Sequence, residues 1–303
     1  YEIGVRLVGS EMCIRDRGVW SFETDPEFQA SLDWIDEFTR EEIEPLDLVF
    51  REPGDPWDPN SPAFSAMAPL REIVKQKQLW ACHLEPELGG QGYGQVSLGL
   101  MNEILGRSRF GPSVFGCQAP DSGNAEILAK FGTPEQKEKY LKPLLNAEIA
   151  SCYSMTEPQA GADPGEFLCT ATQDGDDWVI NGEKYYISGA GDPRCKVMIT
   201  MVKTSPDAAP SRQQSQILVP TDTEGVEILE GMQVFGEDHA PRGHMHIRFN
   251  NVRVPKENIL LGEGRGFEIS QVSLGPGRIH HCMRSIGKAE KALELMVKRS
   301  GTR

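Results

Sequence analysis

The chain of 303 residues carries a net charge of −14 at pH 7, with 39% hydrophobic and 25% charged residues. This composition is typical of a globular protein, and the acidic balance disfavours nucleic-acid binding, which needs a basic face. No apolar run approaches the roughly 18 residues that predict a transmembrane segment. Seven scattered cysteines without a C-x-x-C pair indicate an intracellular, reducing compartment.

The two ends of the sequence are unusual. Residues 1–17, YEIGVRLVGSEMCIRDR, lack an initiator methionine, an amphipathic period and the layout of a signal peptide. They resemble a translated sequencing adapter, so we predict that this segment is non-native. The final run AEKALELMVKRSGTR is typical of a helix that continues past the last residue, which indicates a fragment.

Residues 18–149 have the pattern of an N-terminal helical domain. Apolar stripes at spacings of three and four residues predict amphipathic helices; the stripes are Phe28, Leu32, Ile35 and Phe38, and then Val96, Leu100, Met101, Ile104 and Leu105. Thr133, Pro134 and Gln136 predict a helix start with a capping box.

Residues 150–262 predict a middle β domain. Within DDWVINGEKYYIS, Asn181-Gly182 predicts a hairpin turn between two strands. Further strand-like runs follow, namely CKVMITMVK, SQILVP, VEIL and HMHIRFNNVRVP. Short strands without intervening helices predict an antiparallel sheet or barrel. Residues 263–303 return to a helical pattern, with apolar positions at Met283, Ile286, Leu293 and Val297.

Three histidines, His239, His244 and His246, lie close together in the sequence. Alternation along HMHIRF places His244 and His246 on one strand face, an arrangement that can bind a metal ion. No acidic or cysteine ligand lies at a fitting spacing, and His239 falls in a predicted loop. We therefore interpret these histidines as surface or core residues and expect no metal site.

The run CYSMTEPQAGAD, residues 152–163, changes abruptly from apolar to small and polar residues. Tyr153 and Met155 should share one strand face, and Thr156 offers a hydroxyl group. The later run YYISGAG, residues 185–191, adds aromatic side chains, a serine and small residues. The two runs form either ordinary strand packing or a clamp for a planar ring, and the pattern leaves both possibilities open.

The segments CYSMTEPQAGAD, DDWVINGEKYYISGAGDP and NNVRVPKENILLGEGRGFEISQ, in this order and spacing, resemble signatures of the acyl-CoA dehydrogenase family. YYISGAGDPRCKV and LGPGRIHHCMRSIGKAEKAL are most similar to the subgroup of family members 10 and 11. The resemblance covers about residue 24 to the end of the chain. It implies an α+β fold, with an N-terminal helical domain, a middle antiparallel β-barrel domain and the start of a C-terminal four-helix domain.

The resemblance also implies an activity, the FAD-dependent α,β-dehydrogenation of an acyl-CoA thioester. A carboxylate removes the α-proton, and a hydride passes to flavin N5. By position, the family's FAD contacts fall on Tyr153, Met155, Thr156, Gly161, Ala162, Tyr186, Ser188 and, across a dimer interface, Arg303. Tyr186 replaces the usual tryptophan, and Ser188 replaces the usual threonine.

The substrate contacts of the family fall on Ala162, Gly275, Pro276, Gly277 and Arg278. Some family members carry the catalytic base where this chain has Gly277, which cannot titrate. The more usual glutamate lies beyond residue 303, so the resemblance assigns no catalytic residue within the chain and implies that the chain alone is inactive.

Several alternatives stay open at the level of sequence. An acyl-CoA oxidase, a flavin monooxygenase or a non-catalytic flavin or acyl-CoA binding module would share these motifs. The expected partners are an acyl-CoA substrate, a second or further copy in a homodimer or homotetramer, and an electron acceptor such as electron-transfer flavoprotein. Bacterial cytoplasm, mitochondrion and peroxisome are not distinguished, and neither is the length or hydroxylation of the acyl chain.

Overall fold

A computed structural model describes residues 23–52, 56–88 and 90–303 of the protein. Helices dominate the part before residue 150: α1 Pro26–Phe38, α2 Glu44–Val49, α3 Pro62–Gln76, α4 Gly94–Leu105, α5 Gly111–Val114, α6 Asp121–Phe131, α7 Pro134–Gln136 and α8 Lys142–Leu145. The strands follow: β1 Ala150–Ser154, β2 Thr170–Asp174, β3 Asp177–Ser188, β4 Cys195–Lys203, β5 Gln214–Pro220, β6 Val226–Gly231 and β7 His244–Pro255. The long helix α9, Gly266–Ser300, ends the chain. The predicted α+β fold class is confirmed.

Helix α1 has a capped start. The Asp25 side chain accepts a hydrogen bond from the Glu27 amide at 2.9 Å, and Pro26 occupies the first turn, where its missing N–H costs nothing. Leu32, Ile35 and Phe38 are buried, which confirms the first apolar stripe.

The second predicted stripe is partly wrong. Helix α4 buries Leu98, Met101 and Leu105, whereas Val96 is 66% exposed. Each helical residue advances about 100° around the axis, so Val96 lies about 200° away from Leu98. The face of α4 that packs inward therefore contains Leu98, Met101 and Leu105, and Val96 lies on the opposite side of the helix.

The capping box at Thr133 is confirmed. The Thr133 hydroxyl accepts from the Gln136 amide at 3.2 Å, and the Gln136 side chain accepts from the Thr133 amide at 2.9 Å. The helix continues through a π-helical turn, Lys137–Leu141, into α8.

The strands form a curled sheet in the order β1-β4-β2-β3-β7-β6, with β5 also paired to β4. Most pairs are antiparallel, as predicted from the short strands. Two pairings depart from the antiparallel prediction. Strand β1 pairs parallel with β4 from Ala150↔Cys195 to Ser154↔Thr200, and β2 pairs parallel with β4 at Thr170↔Lys203.

The predicted hairpin at Asn181-Gly182 is wrong. Strand β3 runs unbroken through both residues, and the turn lies earlier, where Asp174 pairs with Asp177. The Asn181-Gly182 pair instead lies at a bulge in the ladder with β7. Gly182 has φ +141°, and a Cβ there would lie 2.7 Å from the Cys169 Cα, so glycine serves a close backbone approach.

Three clusters of buried apolar side chains form the core. The first lies among α1, α3, α4 and α5, and the second is formed by side chains of the strands of the sheet. The third joins Leu128 of α6, Val197 of β4, Leu218 of β5 and Ile269 of α9. Helices and sheet therefore share one layer of buried side chains. The cavities described below lie against this layer.

Helix α9 crosses α4 at very short range. A Cβ on Gly287 would lie 1.7 Å from the Glu103 carbonyl oxygen, so no larger residue fits there without separation of the helices. Arg107 reinforces the crossing, because its guanidinium donates to Glu44 and Glu294, each at 2.7 Å. By contrast, the predicted apolar positions Ile286, Leu293 and Val297 are exposed, so that face of α9 is uncovered by the described residues.

Candidate functional site

A cavity of about 520 Å³ lies where β1 and β3 end, beside the segment that enters β7. Its lining includes Trp57, Pro120, Tyr153, Met155, Thr156, Tyr186, Ser188, His239, Arg242, His244 and Leu274. We call it the first cavity. Two of the sequence segments that suggested a planar-ring clamp thus line the same space.

Tyr153, the fourth residue of β1, forms part of the wall of the first cavity. Its hydroxyl lies 2.8 Å from the Ser270 hydroxyl of α9 and accepts from the Gln216 amide of β5 at 2.8 Å. Burial raises the pKa of Tyr153 to about 12, so the phenol is neutral at physiological pH. The ring is thereby fixed by two elements that are distant in sequence.

Thr156 follows β1, and a buried ion pair fixes its position. Lys184 Nζ lies 2.8 Å from Glu157 Oε1, with side-chain exposures of 0% and 2%. Lys184 also donates to the Met155 carbonyl at 2.8 Å, and Glu157 accepts from the Leu168 amide at 2.6 Å. Burial alone would raise the pKa of Glu157, but Lys184 and these hydrogen bonds hold it below its ordinary value. The Glu157 carboxylate is therefore ionised at neutral pH.

The end of β3 is tied directly to the Thr156 segment. The Tyr185 amide donates to the Thr156 carbonyl at 2.8 Å. The next residue, Tyr186, has φ +56° and lies at an irregularity in the ladder with β7. Its side chain is 44% exposed and faces the first cavity, which an ordinary strand residue in this register would not do.

His244 and His246 lie on β7 and His239 lies in a loop, as predicted. His239 and His244 line the first cavity, a position that the sequence did not predict. His244 Nδ1 lies 2.8 Å from the Ser188 hydroxyl. His246 bonds elsewhere, with Nε2 2.9 Å from Glu183, a carboxylate 63 residues earlier that the spacing argument could not locate.

Arg242, which sequence reasoning missed, is buried between the first cavity and the helices. It donates to the Ala119 carbonyl at 2.6 Å and lies over the Trp57 ring at 5.4 Å. Burial lowers the pKa of Arg242, while the nearby Asp121 and Asp192 carboxylates act in the opposite direction. The arginine therefore fixes the Ala119-Pro120 wall and balances buried carboxylates.

A second cavity of about 220 Å³ adjoins the first and shares Ala119, Pro120, Tyr153, Leu274 and His281 with it. Its other walls come from α6 and α9, and include Asn124, Glu126, Ser273, Gly277, Arg278, His280 and Arg284. His280 is 7% exposed, and no described residue bonds to its Nε2. Burial lowers the pKa of His280 to about 4, so it is neutral at pH 7.

The remaining predicted site residues do not line either cavity. Gly161 and Ala162 lie on an exposed turn, although Gly161 is adjacent to the Thr156 methyl group. Gly275 and Pro276 lie within α9, and Arg303 is exposed in the last turn. Their predicted contacts stay predictions.

The described residues give little support for two other kinds of site. None of their His, Cys, Asp and Glu side chains form a group of three or more that could hold a metal ion. Within the same ranges, no helix combines the length and apolar character needed to cross a bilayer.

Comparison with known proteins identifies the class to which this fold and cavity belong. The family profile "Acyl-CoA dehydrogenase, N-terminal domain" matches residues 25–148, and "Acyl-CoA dehydrogenase, middle domain" matches residues 152–252. The chain belongs to the acyl-CoA dehydrogenase family.

The most informative relatives are the following. Acyl-CoA dehydrogenase family member 11 of Gallus gallus is 49% identical over 237 residues, which are 77% of this chain and 30% of that protein. A structure from Mycobacterium abscessus, assigned to the same family, has TM-score 0.83 and 38% identity over 92% of this chain and 70% of its own. A glutaryl-coenzyme A dehydrogenase structure in complex with glutaryl-CoA has TM-score 0.75 and 25% identity, with coverage of 92% and 67%. The chain thus spans under a third of the Gallus gallus relative.

Proposed function

We propose that this chain supplies the flavin site and part of the thioester site of an FAD-dependent acyl-CoA dehydrogenase. The observation that carries the proposal is the convergence of Thr156, Tyr186 and Ser188 on the first cavity, with a second cavity directly beside it. Family membership supports the oxidoreductase class.

The residues of the first cavity fit a flavin. Tyr186 exposes its ring to the cavity, and the Thr156 hydroxyl forms no hydrogen bond with any described residue, so it is available to a ligand. Tyr186 would cover one ring face, while Thr156 and Ser188 would bond to the polar edge. FAD, when bound, supplies the acceptor for a hydride. The Glu157–Lys184 ion pair keeps the Thr156 segment in place before the cofactor arrives.

The second cavity fits the acyl thioester. Arg278 and Arg284 line it, and positive charge there suits an anionic CoA substrate. The glutaryl-CoA complex shows a CoA thioester bound by a protein of similar fold. We propose an electron acceptor such as electron-transfer flavoprotein and a homo-oligomeric assembly as partners.

Proton removal from the substrate is not assigned to residue 277, since Gly277 has no titratable side chain. Glu126 is the carboxylate among the described residues that line the second cavity. It is already engaged, because Gln95 Nε2 donates to it at 3.0 Å and His83 Nε2 lies 3.2 Å away. We therefore propose that another residue of the whole protein accepts the α-proton.

The test is FAD binding followed by anaerobic mixing with acyl-CoA thioesters of several lengths. We expect FAD uptake and substrate-dependent bleaching of the flavin band in the whole protein. Thr156→Val should weaken FAD binding about 2- to 12-fold, the worth of one neutral hydrogen bond. Thr172→Val, at an exposed position on β2, is the matched control and should leave binding unchanged. A protein that cannot take up FAD would contradict the proposal.

The same experiment separates a dehydrogenase from an oxidase. A reduced flavin that is stable in air but reoxidised by electron-transfer flavoprotein supports the dehydrogenase. Oxygen consumption that keeps pace with turnover would instead assign an oxidase or monooxygenase.

A further inference from the structure

A continuous hydrogen-bonded row of side chains joins the first cavity to the surface. Ser188 Oγ lies 2.8 Å from His244 Nδ1, and His244 Nε2 lies 3.2 Å from His239 Nδ1. His239 Nε2 then lies 3.3 Å from Glu237 Oε2. The His239 and Glu237 side chains are 29% and 56% exposed, so the row ends in water. We call these four residues the Ser188 row.

The number of hydrogen atoms in the row sets the direction of every bond in it. A carboxylate only accepts, so neutral His239 must donate to Glu237 through Nε2–H. Its Nδ1 is then an acceptor and receives the Nε2–H of His244. His244 Nδ1 in turn accepts the hydroxyl hydrogen of Ser188, which leaves only lone pairs of Ser188 for the cavity.

Protonation of His239 reverses the row. Both nitrogens of His239 then donate, one to Glu237 and the other to His244 Nε2. Neutral His244 must now carry its hydrogen on Nδ1 and donate it to Ser188 Oγ. The Ser188 hydroxyl hydrogen is released and can donate into the cavity.

The charges around the two histidines favour proton entry at His239. Burial lowers the pKa of His244, and His239 and Arg242 lower it further, so His244 stays neutral near pH 7. His239 faces the Glu237 carboxylate on its solvent side and the Trp57 ring, with a centroid distance of 6.2 Å, on the other. The Glu237 carboxylate accepts from His239, and its partial exposure gives water access to this end of the row.

We propose that the Ser188 row is a proton relay between solvent and the ligand atom that contacts the Ser188 hydroxyl. In the direction of delivery, the Ser188 O–H bond breaks as the ligand takes that proton. Ser188 Oγ takes the Nδ1 proton of His244, and His244 Nε2 takes the Nδ1 proton of His239. One proton has moved from His239 to the ligand, every residue is neutral except Glu237, and no oxidation or reduction occurs. Only the identification of that ligand as a flavin ring rests on the proposed function.

The relay is tested first without any ligand, by NMR of the protein with ¹⁵N-labelled histidine side chains. As pH falls across the range in which imidazoles ordinarily gain a proton, the hydrogen on His244 should move from Nε2 to Nδ1. A His244 ring that keeps one tautomer between about pH 5 and about pH 8, which spans that range, would overturn the relay.

Substitutions locate the proton entry. His239→Gln cannot titrate, so His244 should keep one tautomer at every pH. The matched control is His246→Gln on β7, whose ring bonds to Glu183 and lies outside the Ser188 row; it should preserve the pH response. Glu237→Gln should lower the pH at which half of the His244 rings have changed tautomer. The expected shift is about 0.2 to 0.7 pH units, as for the loss of a partly exposed ion pair. A pH response that survives His239→Gln would refute His239 as the entry point.

The second arm measures FAD affinity from the quenching of flavin fluorescence at about pH 5.5 and about pH 8, either side of the ordinary histidine value. The intact row should change the affinity about 2- to 12-fold between these pH values, since one hydrogen bond reverses direction. His239→Gln should reduce that change to less than about twofold. FAD affinity without pH dependence, in a protein whose His244 does change tautomer with pH, would refute flavin as the ligand of the relay. Absence of FAD binding would refute the proposed function, while the ligand-free titration would still decide the relay.

Discussion

Replacement of Lys184 by methionine tests whether the buried ion pair holds the Thr156 segment. Methionine keeps the length of the side chain but removes the cation that lies 2.8 Å from Glu157 Oε1. Glu157 would remain buried with backbone donors at Leu168 and Cys169 still bonded to it. Breaking one partner of a buried pair typically costs about 3–5 kcal/mol. Because these donors remain, we expect about 3 kcal/mol, the lower end of that range.

Urea unfolding at neutral pH measures this loss. Lys196→Met, on the exposed side of β4, is the matched control and should change stability by less than about 0.5 kcal/mol. Adding Glu157→Gln to Lys184→Met should recover part of the loss, because the uncompensated charge disappears. A Lys184→Met protein within about 1 kcal/mol of the wild type would refute the reasoning, since that is the range of an exposed pair.

The pH dependence of the loss gives an independent check. The pKa of Glu157 is lowered in the folded protein, so its contribution to stability is present above the unfolded value and is lost as pH falls through the folded value. Without Lys184, burial dominates and the pKa of Glu157 should rise instead. The stability gap between wild type and variant should therefore be widest at neutral pH and narrow toward about pH 4, near the ordinary glutamate pKa. A gap that stays constant would show that charge is not its cause.

Two further outcomes are expected. Gly287→Ala should destabilise the protein by about 2 kcal/mol or more in thermal or urea unfolding, because its Cβ would lie 1.7 Å from a backbone oxygen of α4. Gly275→Ala in the same helix meets nothing within 4 Å and should stabilise by up to about 1 kcal/mol; equal signs for the two would disprove the close crossing. Arg303→Ala should weaken FAD binding and oligomer formation, because a guanidinium makes charge-assisted bidentate bonds with a diphosphate. Unchanged affinity and unchanged mass by light scattering would remove Arg303 from the site.

Local features of the fold were predictable where neighbours in sequence decide them. The cap at Thr133 depends on residues within three positions, and its helix begins where expected. Asn181-Gly182 failed as a turn for a different reason. The same positive-φ preference that favours a hairpin also favours a bulge, and pairing with β7 selected the bulge.

The candidate site was only partly predictable, because its contacts join distant positions. Thr156 and Ser188 were singled out from their own segments, and both line the first cavity. Glu157 and Lys184 lie 27 positions apart, and the fold alone places Nζ against the carboxylate. His244 was judged on the spacing of nearby ligands, whereas its partner on β3 is 56 positions away. The spacing of residues in the sequence predicts contacts between near neighbours along the chain, but it does not predict contacts between residues on different strands.

The shared buried layer that joins Leu128, Val197 and Ile269 has a thermodynamic consequence for any search for ligands. Helices and sheet that bury one another's side chains tend to lose structure in a single cooperative transition. A molecule that binds only the folded form raises the free energy of unfolding by about 2.7 kcal/mol at a hundred times its dissociation constant. Since both cavities lie against this layer, occupancy of either should register as a rise in one melting temperature. The melting temperature can therefore report binding when candidate thioesters and cofactors are screened.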